Sequence, residues 1–493
     1  MTSRLRRATP LVLAAAGLLA LPGGASASKT MLTGIADENV LNGATPGGAD
    51  TTVAKWKAEG IQDVRTFAQW NKLAPDVDAT KVPEGKDWRD PASYDFSSLD
   101  RKIDLVRRHG LGVTLVLTGP GPVWGSLEPA RRNGTLKPNP TLFGQFSEAV
   151  AKHVADRVDR YIIWNEPNVA TWLQPQWTCT GLKCRPYSPY LYRQLAAKGY
   201  AAVKRHDSTA RVAIGGTSSK GTIAAPRIGR TNSAMQPLVF LREMSCVTAK
   251  YKRTRSGRCK GFKPLSGEAL SYHPHPREFS PGRTDPAKDN ARIADLPRLL
   301  RALDRMQRAG GFKVRGAKRM PLWLDEFGYE TYPPDRKGNG TVSLSRQKAW
   351  TQWGIAKAAR QSRVQMLTQY EWFDEPTGSD ENEQFNRWQS GPFFVDGRPK
   401  PLAAVFATPI YGWRTSRSAT VWGQARPATS RIRVTLQRST GGAFRDYKAV
   451  TTNAVGQFTA KVPRSSKTRY RFTFVDPSSQ QTRTSDAVRL TKE

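Results

Sequence analysis

Eight alternations of strand-like and helix-like segments constrain the fold of this chain more than any other feature of its sequence. From Lys29 onward, each short apolar segment is followed by one whose apolar residues recur at helical spacing. The strand-like segments are KTMLTGIA, IQDVRTF, GLGVTLVLT, RYIIWNE, ARVAIGG, ALSYH, MPLWLDE and VQMLTQYEW. The helices are expected near residues 50–59, 95–109, 140–156, 189–206, 236–244, 293–308, 345–360 and 401–410. Strict alternation predicts a parallel α/β sheet, and eight units predict a closed (β/α)8 TIM barrel.

The alternative is an open, doubly wound sheet. That fold commonly has a Gly-rich phosphate-binding turn after its first strand, and KTMLTGIA is followed by no such turn. The closed barrel is therefore the favoured prediction, over residues 28–412.

A second periodicity begins near residue 413. Apolar and polar residues alternate over 432–436, 458–462 and 470–474, and turn-prone stretches rich in Gly, Ser and Pro separate these segments. This pattern predicts a small antiparallel β-sandwich of immunoglobulin-like type, about 80 residues long, over 413–493. Because it contains no carboxylate pair or metal-ligating cluster, we expect a structural or adhesive role for it.

The first 27 residues have the layout of a secretory signal peptide. A basic head precedes an apolar stretch from Leu11 to Leu21, and the small residues Ala25-Ser26-Ala27 follow. A membrane anchor is the alternative, but the apolar stretch is too short to span a bilayer. We expect cleavage after Ala27, secretion, and no transmembrane segment in the mature chain.

Four cysteines form two pairs that are close in sequence, Cys179 with Cys184 and Cys246 with Cys259. In an exported chain, two short-loop disulfides are the simplest of the three pairings. A zinc site is the alternative, but these spacings include no CxxC pair.

The chain is strongly basic. Lys and Arg number 77 against 41 for Asp and Glu, which gives a formal net charge of +36. Such a surface attracts polyanions, namely an acidic polysaccharide, an anionic cell envelope or, nonspecifically, nucleic acid. No recognised nucleic-acid module is present, so no specific nucleic-acid partner is expected. The alternative is a solvated basic surface with no partner.

The segment YIIWNEPN places a carboxylate at the end of the fourth strand. Ile162 and Ile163 favour burial, whereas Glu166 does not, and Pro167 cannot donate to a sheet hydrogen bond. In a barrel of this type, the C-terminal ends of the strands form the active site. Glu166 is therefore a candidate catalytic residue, and Asn165 is expected to bind a substrate hydroxyl. The alternative is a structural glutamate.

A second carboxylate, Glu326, ends the seventh strand in MPLWLDEFGYE. Its neighbour Asp325 is expected on the other side of the strand, because side chains alternate. Two carboxylates about 5–5.5 Å apart are the arrangement used in retaining glycoside hydrolysis. One protonates the leaving oxygen while the other attacks the anomeric carbon.

WNEPN at strand four, together with LDEFG at strand seven, resembles the clan A glycoside hydrolases, which are retaining (β/α)8-barrel enzymes. The segment YHPHP and the long first loops are most similar to family 39, which includes β-xylosidases, iduronidases and exopolysaccharide-cleaving bacterial enzymes. The resemblance covers roughly residues 29–412 and is strongest at these motifs. It implies that Glu166 is the acid/base and Glu326 the nucleophile.

The same resemblance implies further substrate-site residues. Arg65, in VRTFAQW, matches the strand-two arginine that holds the nucleophile ionised. His273 matches a histidine at the end of strand six, and His275 stands where a tyrosine is often found. Trp372, at the end of strand eight, and Trp124, after strand three, are expected to stack on sugar rings, because indole packs well on their apolar C–H faces. Core packing is the alternative for Trp124, whereas the resemblance also places a tryptophan at the position of Trp372.

His273 and His275 lie two residues apart, so they face the same side of a regular strand and could bind a metal. No third ligand is evident in the sequence, so neither a metal nor a cofactor is expected.

The sequence therefore favours a secreted retaining glycosidase acting on a poly- or oligosaccharide. Two alternatives are a carbohydrate- or cell-envelope-binding barrel without catalysis and a basic adhesive protein. The presence of both glutamates favours the enzyme.

Overall fold

Eight parallel strands form a closed barrel in the computed structural model, which describes residues 28, 30–222, 226, 228–338, 340–376 and 388–493. Each strand pairs with the next along the chain, and the eighth closes on the first. The strands are β1 (Leu32–Ala36), β2 (Asp63–Gln69), β3 (Gly112–Thr118), β4 (Arg160–Ile163), β5 (Arg211–Ser218), β6 (Ala269–His273), β7 (Leu322–Phe327) and β8 (Val364–Tyr370). The predicted (β/α)8 barrel is confirmed.

The barrel has a solid interior because alternate strand residues point inward. One inward layer comprises Val116, Ile162, Ala213, Ala269, Trp323 and Met366, all buried. The residues between them, such as Tyr161 and Ile163, pack outward against the helices. Because both faces of each strand are buried, the strands can be short and almost entirely apolar.

Seven longer α-helices surround the barrel in the described ranges: α1 (Ala49–Ala58), α2 (Ser97–Arg108), α3 (Pro140–Val154), α4 (Ser188–His206), α5 (Pro237–Met244), α6 (Leu296–Arg308) and α7 (Leu344–Ala359). They agree closely with the predicted ranges. In α2, Leu99, Ile103 and Val106 are buried at helical spacing, and Gly110 follows with φ of 66°. Short α-helices Glu38–Leu41 and Trp70–Leu73 lie in loops after β1 and β2.

The prediction of a helix at 401–410 is wrong. The segment forms only the 3-10 turn Ala403–Val405 and enters a strand at Ile410. Pro409 lacks a donor for a continuing helix, and the carbonyl of Phe406 accepts a hydrogen bond from Arg426 rather than from a helical turn.

Two further sheets follow the barrel. Their main strands are β9 (Ile410–Arg414), β10 (Ala419–Gln424), β11 (Arg433–Ser439), β12 (Arg445–Thr451), β13 (Gln457–Lys461) and β14 (Arg469–Val475). One sheet has the order β13-β10-β9 and the other β12-β11-β14, each extended by short C-terminal strands. Both contribute to one apolar core, which includes Val421, Phe458, Leu436 and Phe472.

The sheets are antiparallel apart from Thr491–Lys492, which pairs with β9 in parallel. An immunoglobulin-like sandwich remains a prediction. Strand β9 spans the residue at which the sequence analysis places the domain boundary.

Both predicted disulfides are present, Cys179–Cys184 and Cys246–Cys259. The first joins the strands of a hairpin after β4, and the second joins the chain after α5 to a 3-10 turn. Within the described part of the chain, no helix is long and apolar enough to cross a bilayer. The predicted signal peptide, residues 1–27, lies outside the described residues.

Candidate active site

The C-terminal ends of the barrel strands open into a cavity of about 570 Å³. Glu166 and Glu326 both line it, as does Asn165. The two glutamates come from the loop directly after β4 and from β7 itself. The barrel therefore brings together the two carboxylates that the sequence analysis singles out.

One histidine contacts both glutamates. The Nδ1 atom of His273 lies 3.1 Å from Oε1 of Glu166 and 3.3 Å from Oε2 of Glu326. The two carboxylate oxygens are therefore separated by no more than the sum of these two distances. His273, at the end of β6, is fully buried between them.

The backbone that presents Glu166 has an uncommon conformation. Trp164 has φ of 70° and Glu166 φ of 36°, both in the left-handed region that side chains other than glycine rarely adopt. The amide of Glu166 donates to the carbonyl of Gly216, and that of Asn165 to Oγ1 of Thr118, at 2.8 and 3.1 Å. These bonds to β5 and β3 hold the turn in place, as is typical where a site requires a strained backbone.

Glu326 is surrounded by donors. Nη1 of Arg65 lies 3.0 Å from its Oε1, and Nε2 of His275 lies 3.2 Å from its Oε2. Burial raises the pKa of this carboxyl, but His273, Arg65 and the hydrogen bond from His275 outweigh burial and lower the pKa to about 2. Glu326 is thus held as a carboxylate.

Asp325 belongs to the same network, although the sequence analysis placed it on the other side of the strand. Its Oδ2 accepts from Nε of Arg65 at 3.0 Å and from Nε2 of His273 at 3.2 Å, and its Oδ1 accepts from Oγ of Ser271 at 2.6 Å. The pairing of β7 with β8 is irregular between Leu324 and Phe327, so strict alternation does not apply here.

The electrostatics of the network follow from these contacts. Burial raises the pKa of Asp325, but His273 and Arg65 outweigh it and lower the pKa to about 2. Burial lowers the pKa of His273, but Glu326 and Asp325 outweigh it and raise the pKa to about 10. Around neutral pH, His273 is therefore an imidazolium that donates from both nitrogens. Two cations, His273 and Arg65, balance the two anions Asp325 and Glu326.

Arg65 and His273, which the sequence predicts as substrate-site residues, do not line the cavity, because both are buried and paired with other side chains. Arg65 is 1% exposed, and its Nη2 donates to Oδ1 of Asn165 at 2.6 Å in addition to its two carboxylate contacts. This bond orients the amide of Asn165, which does reach the cavity.

The two predicted sugar-stacking tryptophans do not line the cavity. Trp372 is 1% exposed and packs against Phe393 and Phe406, with ring centroids 5.1 Å away in each case. Trp124 is also 1% exposed and packs against Trp88 at 4.3 Å. Both belong to the core, because the chain turns them away from the strand ends toward the helices.

Other aromatic residues line the cavity where Trp124 and Trp372 were predicted to lie. Phe67 and Trp172 lie in the cavity wall with stacked rings 5.7 Å apart, and Tyr370 and Trp388 form another part of the wall. Trp172 and Trp388 lie in the loops after β4 and β8, and a tryptophan in such a loop is the signal that could have identified them.

A carboxylate and a lysine in the cavity wall were also missed. Glu38, in the short helix after β1, accepts from Oγ1 of Thr66 at 2.6 Å and from the amide of Phe67 at 3.1 Å. Lys102 of α2 forms a 2.6 Å ion pair with it. Lys72, also in the wall, is exposed.

His273, His275 and Glu326 could in principle bind a metal ion, since one ligand atom of each lies within 4.8 Å of the others. The donor set does not fit a dication. The guanidinium of Arg65 contacts the same carboxylate, and His273 is protonated with both nitrogens directed at carboxylates. The expected absence of a metal remains a prediction.

Comparison with known proteins gives a match at the level of structure. No protein-family model matches the chain, and no curated protein is significantly similar to it in sequence. A family 39 glycoside hydrolase from the gut symbiont Bacteroides cellulosilyticus WH2 is 14% identical, with a TM-score of 0.51 over 88% of this chain and 81% of that one. A glucosidase from Croceicoccus marinus is 12% identical, with a TM-score of 0.48 over 90% of this chain and 95% of that one.

This chain shares the fold of a family 39 glycoside hydrolase. The resemblance stated from WNEPN and LDEFG is thereby confirmed for the architecture of the barrel.

Proposed function

We propose that this protein is a retaining glycoside hydrolase in which Glu166 is the acid/base and Glu326 the nucleophile. The observation that supports this most directly is the approach of both carboxylates to the single nitrogen Nδ1 of His273, which lies 3.1 Å from Oε1 of Glu166 and 3.3 Å from Oε2 of Glu326. The shared fold with a glycoside hydrolase supports the class of reaction.

The separation of the carboxylates favours retention over inversion. The upper limit set by His273 applies to the nearer oxygen of each carboxylate, and it accommodates the ~5–5.5 Å of retaining pairs. An inverting pair lies further apart, because it needs room for a water molecule between the sugar and the base.

The surroundings of the two glutamates divide the roles. Glu326 is 8% exposed and kept ionised by Arg65, His273 and His275, as a nucleophile requires. Glu166 is 17% exposed, and of these three groups the structure gives it a contact with His273 alone. It is the better placed of the two to exchange a proton with a leaving group and with water.

The reaction then proceeds in two displacements. A carboxylate oxygen of Glu326 attacks the anomeric carbon, the bond from that carbon to the glycosidic oxygen breaks, and Glu166 gives its proton to the departing oxygen. Glu166 next takes a proton from water, whose oxygen attacks the anomeric carbon and releases Glu326. Asn165 and Glu38 are placed to bind sugar hydroxyls, and Phe67 with Trp172 offers an apolar wall for a ring face.

This proposal can be tested by nuclear magnetic resonance of the first product of hydrolysis. A panel of aryl glycosides and polysaccharides would identify a hydrolysed substrate, and the anomeric configuration of the new reducing end would be recorded before mutarotation. Retained configuration is expected, with labelling of Glu326 by a 2-fluoro glycoside as seen by peptide mass spectrometry. An inverted first product, or labelling of another residue, would refute the assignment.

We also propose that the protein is secreted after cleavage between Ala27 and Ser28, with residues 413–493 as an accessory domain. The two disulfides support an oxidising compartment. Amino-terminal sequencing of protein from the culture medium should begin at Ser28. A species that begins upstream of it would contradict the cleavage site.

A further inference from the structure

A second cavity, of about 600 Å³, opens at the other end of the barrel from the carboxylate pair. We call it the basal cavity. Arg160 and Arg211, the first residues of β4 and β5, line it, as does Arg315 from the loop before β7. Three arginines from different elements therefore line one cavity.

The acidic residues beside this cavity already form ion pairs or hydrogen bonds with other residues. Glu268, in its wall, forms a 2.8 Å ion pair with Lys204 and accepts from the hydroxyl of Tyr200 and the amide of Val212. Asp63 lies 2.6 Å from Nη1 of Arg160. Glu268 is therefore paired with a lysine, and Asp63 pairs with Arg160, one of the three cavity arginines.

Two of the three arginines have no carboxylate partner. Across the described ranges, neither Arg211 nor Arg315 has a carboxylate oxygen within 4.0 Å. Arg211 is half-buried: it donates to Oε1 of Gln365, and its guanidinium carbon lies 5.4 Å from the ring centroid of Trp323. Arg315 is exposed at the rim.

The half-buried position of Arg211 is electrostatically costly without a counterion. Burial, and then the neighbouring charge of Arg160, lower the pKa of Arg211, and the more weakly acting Glu268 does not outweigh them. An anion in the cavity would offset both effects, and guanidinium forks suit the paired oxygens of sulfate and phosphate groups.

We propose that the basal cavity binds a tetrahedral oxyanion, sulfate or phosphate, through Arg211 and Arg315. The anion is either a free ion or a group borne on a polymer. The net charge of +36 favours the approach of either form. This site is separate from the catalytic cleft and does not depend on the proposed hydrolysis.

Isothermal titration calorimetry on the full-length mature protein tests the proposal, with sodium sulfate, sodium phosphate and dextran sulfate as probes and neutral dextran as a blank. The test variant is Arg211→Gln/Arg315→Gln. The matched control is Arg417→Gln/Arg464→Gln, which removes two exposed arginines of the C-terminal sheets and changes the net charge equally.

Saturable binding that is at least about tenfold weaker in the test variant and unchanged in the control is the expected result. Binding of the inorganic ions would identify a free-ion site, whereas arginine-dependent binding of dextran sulfate alone would identify a polymer-borne group. Equal loss in both variants, or no saturable binding of any probe, would refute the proposal.

Misfolding of the test variant is controlled separately. Arg315→Gln alters only an exposed side chain and should weaken binding by itself, and Arg211→Lys keeps the charge but loses the fork, so its affinity should be intermediate. Full affinity in both would overturn the proposal. Hydrolysis of a small aryl glycoside should be the same in all variants, so failure here is distinguishable from failure of the proposed enzymatic function.

Discussion

Glu166 and Glu326 are chemically identical side chains that this structure places in different environments. Both lie within 3.3 Å of Nδ1 of His273, but Glu326 also contacts Arg65 and His275. The difference in proposed role therefore depends on neighbours from β2 and from the segment after β6, not on the glutamates themselves.

Removal of the nucleophile should abolish turnover without unfolding the protein. We expect Glu326→Gln to lower kcat by at least about a thousandfold on any substrate that the parent hydrolyses. With a reactive aryl glycoside, azide should restore activity to Glu326→Ala and give a glycosyl azide of inverted configuration, whereas Glu166→Ala should give the retained one. Glu84→Gln, at an exposed position, is the control. Near-parental activity of Glu326→Gln would contradict the assignment.

His275 forms a hydrogen bond with the proposed nucleophile. Its Nε2 lies 3.2 Å from Glu326, and the ring packs against Trp388 at 4.6 Å. Loss of a hydrogen bond to a charged group costs about 1.5–3 kcal/mol, so His275→Phe should lower kcat about 10–100-fold. His275→Tyr, which restores a donor, should recover part of this loss in steady-state kinetics. Equal activities of the two variants would show that the hydrogen bond is unimportant.

At the scale of elements, the candidate site is formed by residues at the C-terminal ends of several strands. β2 contributes Arg65, β6 contributes His273, and β7 contributes both Asp325 and Glu326. Since each group is held by groups from other strands, the network should link the charge state of the site to the stability of the barrel.

This link has a definite pH dependence. The pKa of Glu326 and that of Asp325 are lowered to about 2, so their stabilisation is present above their ordinary values near 4.5 and 3.8 and is lost as pH falls toward 2. The pKa of His273 is raised to about 10, so its stabilisation is complete below 6.5 and is lost as pH rises through 10. The network should stabilise the fold most between about pH 4.5 and 6.5.

Urea unfolding of the parent and of His273→Asn at pH 3, 5.5 and 10 measures this effect. The difference in free energy of unfolding should be largest at pH 5.5 and smaller at both extremes. The control, Leu182→Ala, changes an exposed and uncharged side chain in the hairpin after β4 and should show no such maximum. A difference that is independent of pH would refute the charge assignment.

The buried and the cavity-lining tryptophans should respond differently to truncation. Trp124 is fully packed, so Trp124→Ala should lower the free energy of unfolding by about 3–5 kcal/mol. Trp172 is partly exposed in the cavity wall, so Trp172→Ala should mainly raise KM. Denaturant titration and steady-state kinetics on both variants would separate these effects. A large stability loss at Trp172 with unchanged KM would contradict its place in the substrate site.

At the scale of the whole molecule, the C-terminal sheets contact the outside of the barrel. Lys348 of α7 pairs with Asp486, and Arg360 pairs with Glu493, each at 2.6 Å. The ring of Trp353 stacks on Tyr411 with centroids 5.2 Å apart. The cavity that holds Glu166 and Glu326 and the basal cavity lie at opposite ends of the barrel that these contacts support.

The two disulfides should differ in their effect on stability. The Cys246–Cys259 bond closes a longer loop than Cys179–Cys184, with sequence separations of 13 and 5. Loop entropy predicts losses of about 3 and ~2 kcal/mol when the respective pair is replaced by serine. Thermal unfolding of the two double-serine variants would rank them. The opposite ranking would show that contacts around the hairpin outweigh loop entropy.

Periodicity and motif spacing were sufficient for the barrel and for the carboxylate pair. The spacing of apolar residues differs between strands and helices, and this spacing can be read from a short segment of sequence. Glu166 and Glu326 could be found because each directly follows a run of buried strand residues. The prediction of a helix at 401–410 failed because the apolar residues of this segment pack at the junction with the C-terminal sheets. No local sequence pattern reveals that junction.

The sequence by itself determined the alternating strands and helices, the pairing of nearby cysteines and the two glutamates at strand ends, since each is a property of short segments. Only the tertiary structure decided which side chains share a space. It placed Asp325 against Arg65 and His273, removed Trp124 and Trp372 from the cavity, and placed Trp172 and Trp388 in its wall. It also brought Arg160, Arg211 and Arg315 together at the base. Closure of the barrel makes neighbours of residues that are far apart in the chain, and their charges and burial then depend on packing rather than on local sequence.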